Sequence, residues 1–580
     1  MTTTAARSNP FDDDPAGSGS SSEPFDSDLR APSQASLPAA SAPAEVSLET
    51  VEVEVPEGLS VDRNATLTLG TDALIVLDEG LRYARNNNSG SAGCCGISVR
   101  SPWAKTTHAI PFYNILWAQV KDFEVEIKYA QKSGKHGCRV GRINYALTDK
   151  SMHAHARKWV ERLMQRAYPP RTQRRKRIKV LVNPFGGKGN AMRIWTREVE
   201  PLFAAASCEV QMERTAYRAH AVEIAEKLDI EAYDVIAAAS GDGLPHEIWN
   251  GLAKQKSPRR ALRKIAVVQI PCGSGNALSL NFNGTDSPSL AALAIVKGVR
   301  SPLDLAAVTQ GREKYWSFLS QATALVAETD LGTESLRWMG SFRFTWGALV
   351  RILSKNVYPA EVSVAYEETD KDVIKQHYWR AVEEQDTARM RAIEPENFDT
   401  ELSHPKDGDL PPLRFGTVND PLPPDVFSTR DMPDLGNFYA GNLALMSPDA
   451  PFFPTALPSD GKLDMLNISA LTPIPRALAM LVTLGDGSII DFPEVHYSKV
   501  SAYRITPRAP AASQGKGKRA RLGNWLGGGG SGKTGLVAVD GESVPFEPFQ
   551  VEVVRGLGTV LSKRGAVFEF AGPPTGGKVR

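Results

Sequence analysis

Cysteine is scarce. The chain holds five (Cys94, Cys95, Cys138, Cys208 and Cys272), with no even framework and no pair at zinc-ligand spacing. That argues against a disulfide-stapled scaffold or a zinc module and fits a reduced intracellular compartment. Long apolar runs are missing too. None reaches the roughly 18 residues a membrane-spanning helix needs, and no apolar core follows a basic N-terminal flank, so no secretory signal peptide is predicted. Membrane contact is therefore expected to be peripheral, by a cytoplasmic protein at intracellular or plasma membranes. Nor is there an excess of charge. The formal net charge of +1 argues neither for nor against nucleic acid, and none is expected as a partner.

Residues 1–45 lack large apolar side chains almost entirely, and Ser, Pro, Ala and Asp fill the space. Such a segment cannot offset its ordering entropy by burial, so it reads as a disordered acidic tail and a phosphorylation candidate. Across 46–168 the pattern turns strand-like, with partial alternation in "ATLTLGTDALIVL" and "FYNILWAQVKDFEVEIKYA", and closes on the helical "HAHARKWVERLMQRAY". This predicts a small β-rich module, reminiscent of a pleckstrin-homology fold. The basic run "RTQRRKR" at 171–177 comes next, read as a solvated charge run or a contact for anionic lipid.

From 175 to 302 short continuous apolar strands alternate with amphipathic helices: "IKVLVNP", "CEVQMERTA", "YDVIAAASGDG" and "KIAVVQIPCGSGNA" are the strands. That predicts a three-layer α/β lobe with a parallel sheet. From 303 to 570 strands dominate, predicting an antiparallel β-sandwich lobe. Inserts at 367–433 and 508–533 are expected to be disordered or regulatory.

Three glycine-rich loops fall at strand ends, where open α/β sheets bind ligands. They are "NPFGGKGNA" (Asn183–Ala191), "SGDG" (Ser240–Gly243) and "PCGSGNA" (Pro271–Ala277). Glycine lets backbone approach an anion without Cβ obstruction, and Lys188 adds a positive charge in the first loop. Asp242 places a carboxylate between two glycines at the second of these strand ends; a turn aspartate is the bland reading of it. Glu247, one turn into the next helix beside His246, is a candidate to hold Mg²⁺ or water, against a helix-start carboxylate complementing the dipole. No fuller metal-ligand set is evident. "GGGGSGKT" (Gly527–Thr534) fits the phosphate-loop pattern by letter, but no strand precedes it and "GLVAVDGE" after it reads as a strand. It is therefore read as a flexible linker.

The three motifs, in this order and spacing, resemble the diacylglycerol-kinase-type lipid kinases, and within them the sphingosine (long-chain base) kinases of fungal type. The resemblance covers roughly 175–365 and 435–570. Serine at the head of "SGDG", "DLGTESLRWMGSFRF" (Asp330–Phe344) and the late "VDGE" (Val539–Glu542) mark that branch. It implies transfer of the γ-phosphate of ATP, with Mg²⁺, to the primary hydroxyl of a sphingoid base (sphingosine, dihydrosphingosine or phytosphingosine), with Asp242 as general base. It further implies a nucleotide site of Asn183, Gly186, Gly187, Lys188, Thr215, Ser240, Gly241, Gly243, Ser274, Gly275, Arg337, Arg343 and Glu542, and Asp330 at the amino head group of the base. Phe342, Phe344, Trp346, Leu349, Leu353, Phe318 and Leu325 are candidates for an acyl pocket, although such stripes are more often core. Cys94 and Cys95 are a candidate S-acylation pair, against unmodified cysteines.

A diacylglycerol or ceramide kinase is the nearest alternative, opposed by Asp330 and Ser240. A NAD-kinase-like enzyme shares the glycine-aspartate logic but not the apolar helix or the paired arginines. An inactive lipid-binding scaffold is the alternative from another class, opposed by Asp242, Lys188 and three intact loops. The preferred base and the oligomeric state are not legible.

Overall fold

The computed structural model describes residues 57–62, 64–78, 107–168, 171–187, 189–324, 357–390, 408–508, 537–563, 565 and 567–575. The acidic tail, Cys94 and Cys95, Lys188, Asp330, Arg337 and Arg343 lie outside the described residues. So do the acyl-pocket candidates from Leu325 onward and the stretch Gly527–Thr534.

Among the described residues, seven antiparallel strands make the N-terminal module. Gly58–Val61, Ala65–Leu69, Ala73–Asp78 and Thr107–Pro111 form one sheet; Ile115–Lys121, Glu124–Lys132 and Cys138–Ala146 form another. Helix His153–Ala167 buries Ala156, Trp159, Val160, Leu163, Met164 and Ala167, a spacing that gathers one face of a 3.6-residue turn.

In the α/β lobe the strands Glu209–Arg214, Arg177–Val182, Val235–Ser240 and Ala266–Pro271 lie side by side in that order, all parallel. The last two are buried along their whole length, which their continuous apolar sequences require. Alternate residues serve opposite faces. Val235, Ala237 and Ala239 join the core on the N-terminal module's side, while Ile236 and Ala238 join the core on the other.

The lobes expected at 175–302 and 303–570 share one sheet. Val299–Gln310 runs through residue 302 as a single strand, paired antiparallel with Phe549–Ser562, which also pairs in parallel with Ala266–Pro271 at Ala266 and Thr559. Among the described residues the sheet has 15 strands. In its antiparallel part Val308, Val362, Phe438, Met465, Tyr503, Val539 and Val551, from neighbouring strands for the most part, meet in one apolar cluster on a shared face.

One expectation changes here. The insert at 367–433 is not disordered in its described parts. Lys371–Met390 is a helix, and Phe415 and Phe427 are buried against Ala365 and Ala502. Glu552 takes the backbone N–H groups of Arg414 and Phe415, and Gln550 donates to the carbonyls of Phe415 and Gly416. These buried side chains satisfy backbone that a loose loop would leave to water. The basic run is partly tied into the fold, although Arg171 and Arg175 stay exposed. Lys176 is buried, Arg177 pairs with Asp234 at 2.7 Å, Arg174 with Glu161 at 3.0 Å, and Arg175 stacks over Trp117.

Candidate active site

Parallel pairing brings the three glycine loops together at one edge of the sheet. Asn183 donates its backbone N–H to Ala239, Cys272 donates its own to Ser240, and Thr215 donates to Val182, so each loop leaves its strand locked to a neighbour. The loops touch where only glycine fits. Gly187 has φ +59 and a Cβ there would sit 2.3 Å from the Cys272 carbonyl oxygen; a Cβ on Gly273 would sit 2.4 Å from Gly241 Cα. Gly241 and Gly275 face each other in the same way, the Gly275 carbonyl lying 3.0 Å from a Cβ on Gly241. Asn183 Oδ1 accepts from the Phe185 N–H, and Gly186 packs on the Asn183 side chain. Ser240 is buried, its hydroxyl donating to the Gly241 carbonyl. Gly273→Ala should separate the loops and raise the KM for ATP about tenfold or more, since displacements of an ångström at a reacting site cost up to about a hundredfold. A wild-type KM in steady-state kinetics would count against nucleotide binding at these loops.

Asp242 stands at the N-terminus of helix Gly243–Leu252. Its Oδ1 accepts from Gln269 Nε2 at 3.1 Å and from the Leu278 N–H at 3.4 Å, and its Oδ2 from the Ala277 N–H at 3.1 Å. Removal from water raises its pKa, these hydrogen bonds lower it, the Asp540 charge raises it again, and the balance stands at about 6. A carboxyl titrating there is ionised at neutral pH yet a far better proton acceptor than an ordinary aspartate. Gln269 is itself held by the Ser279 N–H, which bonds its Oε1 at 2.9 Å. Nothing in the sequence singled this glutamine out.

Glu247 is committed elsewhere. Its two oxygens accept from the N–H groups of Ala219 and Ala221 at 3.0 and 3.1 Å, capping helix His220–Glu226. Capping satisfies N–H groups that a helix start leaves without partners, and it supersedes the reading of Glu247 as a complement to its own helix. Burial raises its pKa.

The antiparallel lobe reaches the same place through "VDGE". Glu542 lies against Gly243, its Oε1 3.3 Å from where a Cβ would stand, and it pairs with Arg218. Asp540, two residues earlier, is the residue sequence reasoning missed, although the motif contained it. Its Oδ1 accepts from the Ser317 hydroxyl and the N–H groups of Leu319 and Ser320, and its Oδ2 from the Phe318 N–H. His246 Nδ1 meets Oδ2 at 2.8 Å. Burial works against a charged imidazole, but the Asp540 bond and the carboxylates of Asp540, Glu542 and Glu247 outweigh it and raise the His246 pKa. Strand Val537–Val539 directly precedes this turn, so no helix follows "GGGGSGKT" as a phosphate loop would need.

Asn183, Gly186, Gly187, Thr215, Ser240, Gly241, Gly243, Ser274, Gly275 and Glu542 thus belong to the three loops, the strand end beside them and the turn facing them. Among the described residues no group of three His, Cys, Asp or Glu could hold a metal ion.

Residues 177–308 match the family model "Diacylglycerol kinase catalytic domain" and residues 57–169 match "Domain of unknown function (DUF7493)". Over 454 residues the chain is 32% identical to sphingoid long chain base kinase 4 of Schizosaccharomyces pombe, covering 78% of this chain and 88% of that one. The chain belongs to the sphingoid long chain base kinases. Sphingoid long chain base kinase 5 of Saccharomyces cerevisiae is 36% identical over 453 residues, and the match takes in 70% of this chain but only 62% of that relative's length. Sphingosine kinase 1 of Arabidopsis thaliana is 29% identical over 408 residues, 68% of this chain and 78% of the plant protein. A diacylglycerol kinase structure from Bacillus anthracis aligns with a TM-score of 0.41 at 16% identity, over 67% of this chain and 97% of that one.

Proposed function

We propose that this kinase transfers the γ-phosphate of ATP to the primary hydroxyl of a sphingoid long-chain base, giving the 1-phosphate. The observation that carries this reading is the meeting of three glycine loops around one carboxylate, Asp242, in a chain whose similar proteins are named for that activity. The loops fit a polyphosphate. Adjacent glycines leave backbone exposed for anion contact, and an added Cβ would close the space. Asn183, Gly186, Gly187, Thr215, Ser240, Gly241, Gly243, Ser274 and Gly275 would line ATP, with Lys188, Arg337 and Arg343 adding charge and Glu542 closing the site from the opposite lobe.

Asp242 would accept the hydroxyl proton while the substrate oxygen bonds to the γ-phosphorus and the bond to the β-phosphate oxygen breaks, releasing ADP. Mg²⁺, bound with ATP, would neutralise charge on its terminal phosphates. Asp330 is proposed to meet the protonated amine of the base, since charge-assisted hydrogen bonds contribute about 1.5–3 kcal/mol. A neutral glyceride lacks that cation. Substrates of this kind reside in membranes, so the protein is proposed to work at a membrane surface from the cytoplasmic side. No helix of the described residues is long and apolar enough to cross a bilayer.

A radiolabelled ATP transfer assay offering dihydrosphingosine, phytosphingosine, diacylglycerol and ceramide side by side tests the assignment. Label is expected on the two bases alone, and Asp330→Asn should cut it about tenfold or more. Label on diacylglycerol or ceramide that is indifferent to Asp330 would overturn the substrate class.

A further inference from the structure

The N-terminal module and the kinase lobe share one hydrophobic core. Leu59, Ile115, Ile127, Trp159 and Leu163 of the module belong to the same buried cluster as Val180, Ala237, Trp195, Phe203 and Leu293 of the kinase lobe. The strands of the three-stranded sheet lie against the segment Glu200–Ala205, and Cys138–Ala146 also meets Pro288–Lys297. That segment ends a helical run that starts at Ala191, directly behind the first glycine loop, and includes a π turn at Trp195–Val199. The run is therefore clamped between the parallel sheet and the module.

Polar contacts lock the same face. Lys297 sends its ammonium into the module, to the carbonyls of Ile115 and Ala167, over the Tyr168 ring at 3.5 Å. Cys138 donates its N–H to the Ser289 hydroxyl at 3.0 Å. The connection between the two parts is tied at each end. Tyr168 donates its hydroxyl to Leu116, Thr172 to the Lys297 carbonyl, and Lys176 its ammonium to the Val296 carbonyl. A module fixed in this way has no room to swing as a tethered adaptor does.

We propose that the N-terminal module is a fixed fourth layer of the catalytic lobe and sets the position of the first glycine loop, so that it takes part in nucleotide binding. This rests on the assignment of that loop to ATP. The module is then a positioning element, and its effect should show in the KM for ATP and not in that for the lipid.

A protease recognition sequence inserted between Pro169 and Pro170 of the full chain provides the test. After cleavage the pieces should stay together through gel filtration at about 1 M NaCl, where exposed charge pairs are screened within about 3 Å, and keep the uncut KM for ATP. In the nicked protein Lys297→Met with Ser289→Ala and Ile127→Asp, the last putting a charge into the shared core, should release the module and raise the KM for ATP about tenfold, leaving that for dihydrosphingosine within about threefold. Pieces that part on cleavage while the kinase piece keeps its KM for ATP would overturn the proposal. So would release by the triple variant with that KM unmoved, pieces that stay together in the triple variant with the KM for ATP raised all the same, or two separate thermal transitions in the uncut wild type. Uncut Gly273→Ala serves as the control. If it leaves the KM for ATP unchanged, the nucleotide assignment fails and this proposal with it; if it raises that KM and module release does not, only the module's role falls.

Discussion

Asp242→Asn is expected to lower kcat by about a thousandfold, the middle of the range for losing a general base, with the fold left standing. The energetic argument has two opposed parts. Folding raises the pKa of this carboxyl from 3.8 to about 6, so the folded state disfavours the charged form. That cost is fully present above about pH 6 and disappears as pH falls below the unfolded value. Some solvent reaches the crevice floor, where Asp242 is only half-buried, so relief on substitution is at most about 3 kcal/mol. Against it, the new amide would turn N–H groups towards donors from Gln269 or Ala277, at about 1–3 kcal/mol. The two nearly cancel, and a thermal melt should place Tm within about 2 °C of wild type, as one kcal/mol moves Tm by about 2–4 °C in domains of about 150–250 residues. A large fall in Tm would make Asp242 a structural residue. The pH profile supplies an independent check. Because the base must be ionised, kcat/KM in wild type should fall about tenfold per pH unit below about 6. A profile flat down to pH 5 would remove Asp242 from proton transfer.

Asp540→Ala should be the most destabilising change near the site. It removes the acceptor for the Ser317 hydroxyl and three N–H groups, and leaves His246 without its carboxylate. Breaking a buried charged contact on one side costs about 3–5 kcal/mol. The expected result is a drop in Tm of about 5 °C or more, with a raised KM for ATP because Glu542 loses its anchor. Asp540→Asn keeps one acceptor oxygen and should recover part of both. A double-mutant cycle with His246→Asn measures the coupling; additive effects would mean that the two residues act separately.

The parallel strands and the three loops were legible because their signals are local. A continuous apolar run ending in Gly-x-Gly states both the burial of the strand and the openness of the turn at its end. Relationships between distant residues were not legible. Glu247 looked like a metal candidate because the residues it caps, Ala219 and Ala221, belong to another helix of the fold. Gln269 lies in an ordinary apolar strand, and only the register beside Ala238 brings it to Asp242. The acidic insert misled for a related reason. Helix Lys371–Met390 buries just a few apolar side chains, Ile374 and Tyr378 among them, too few to show as a periodic stripe.

The strand pair Val299–Gln310 and Phe549–Ser562 has a mechanical consequence. Kinases with two lobes often grip and release nucleotide by a swing about flexible connections. Here the lobes are joined by a strand pair whose ladder begins inside one and ends inside the other, with a bulge between Leu303 and Leu305 at their junction. Swinging them apart would tear successive rungs, whereas twisting the ladder along its length leaves every rung intact. Nucleotide exchange should therefore go by small rearrangements of the Asn183–Asn190 and Asp540–Glu542 loops at a mouth of nearly constant width. The resistance to opening is then shared between the torsional stiffness of this strand pair and the cross-lobe contacts of His246 with Asp540 and Arg218 with Glu542.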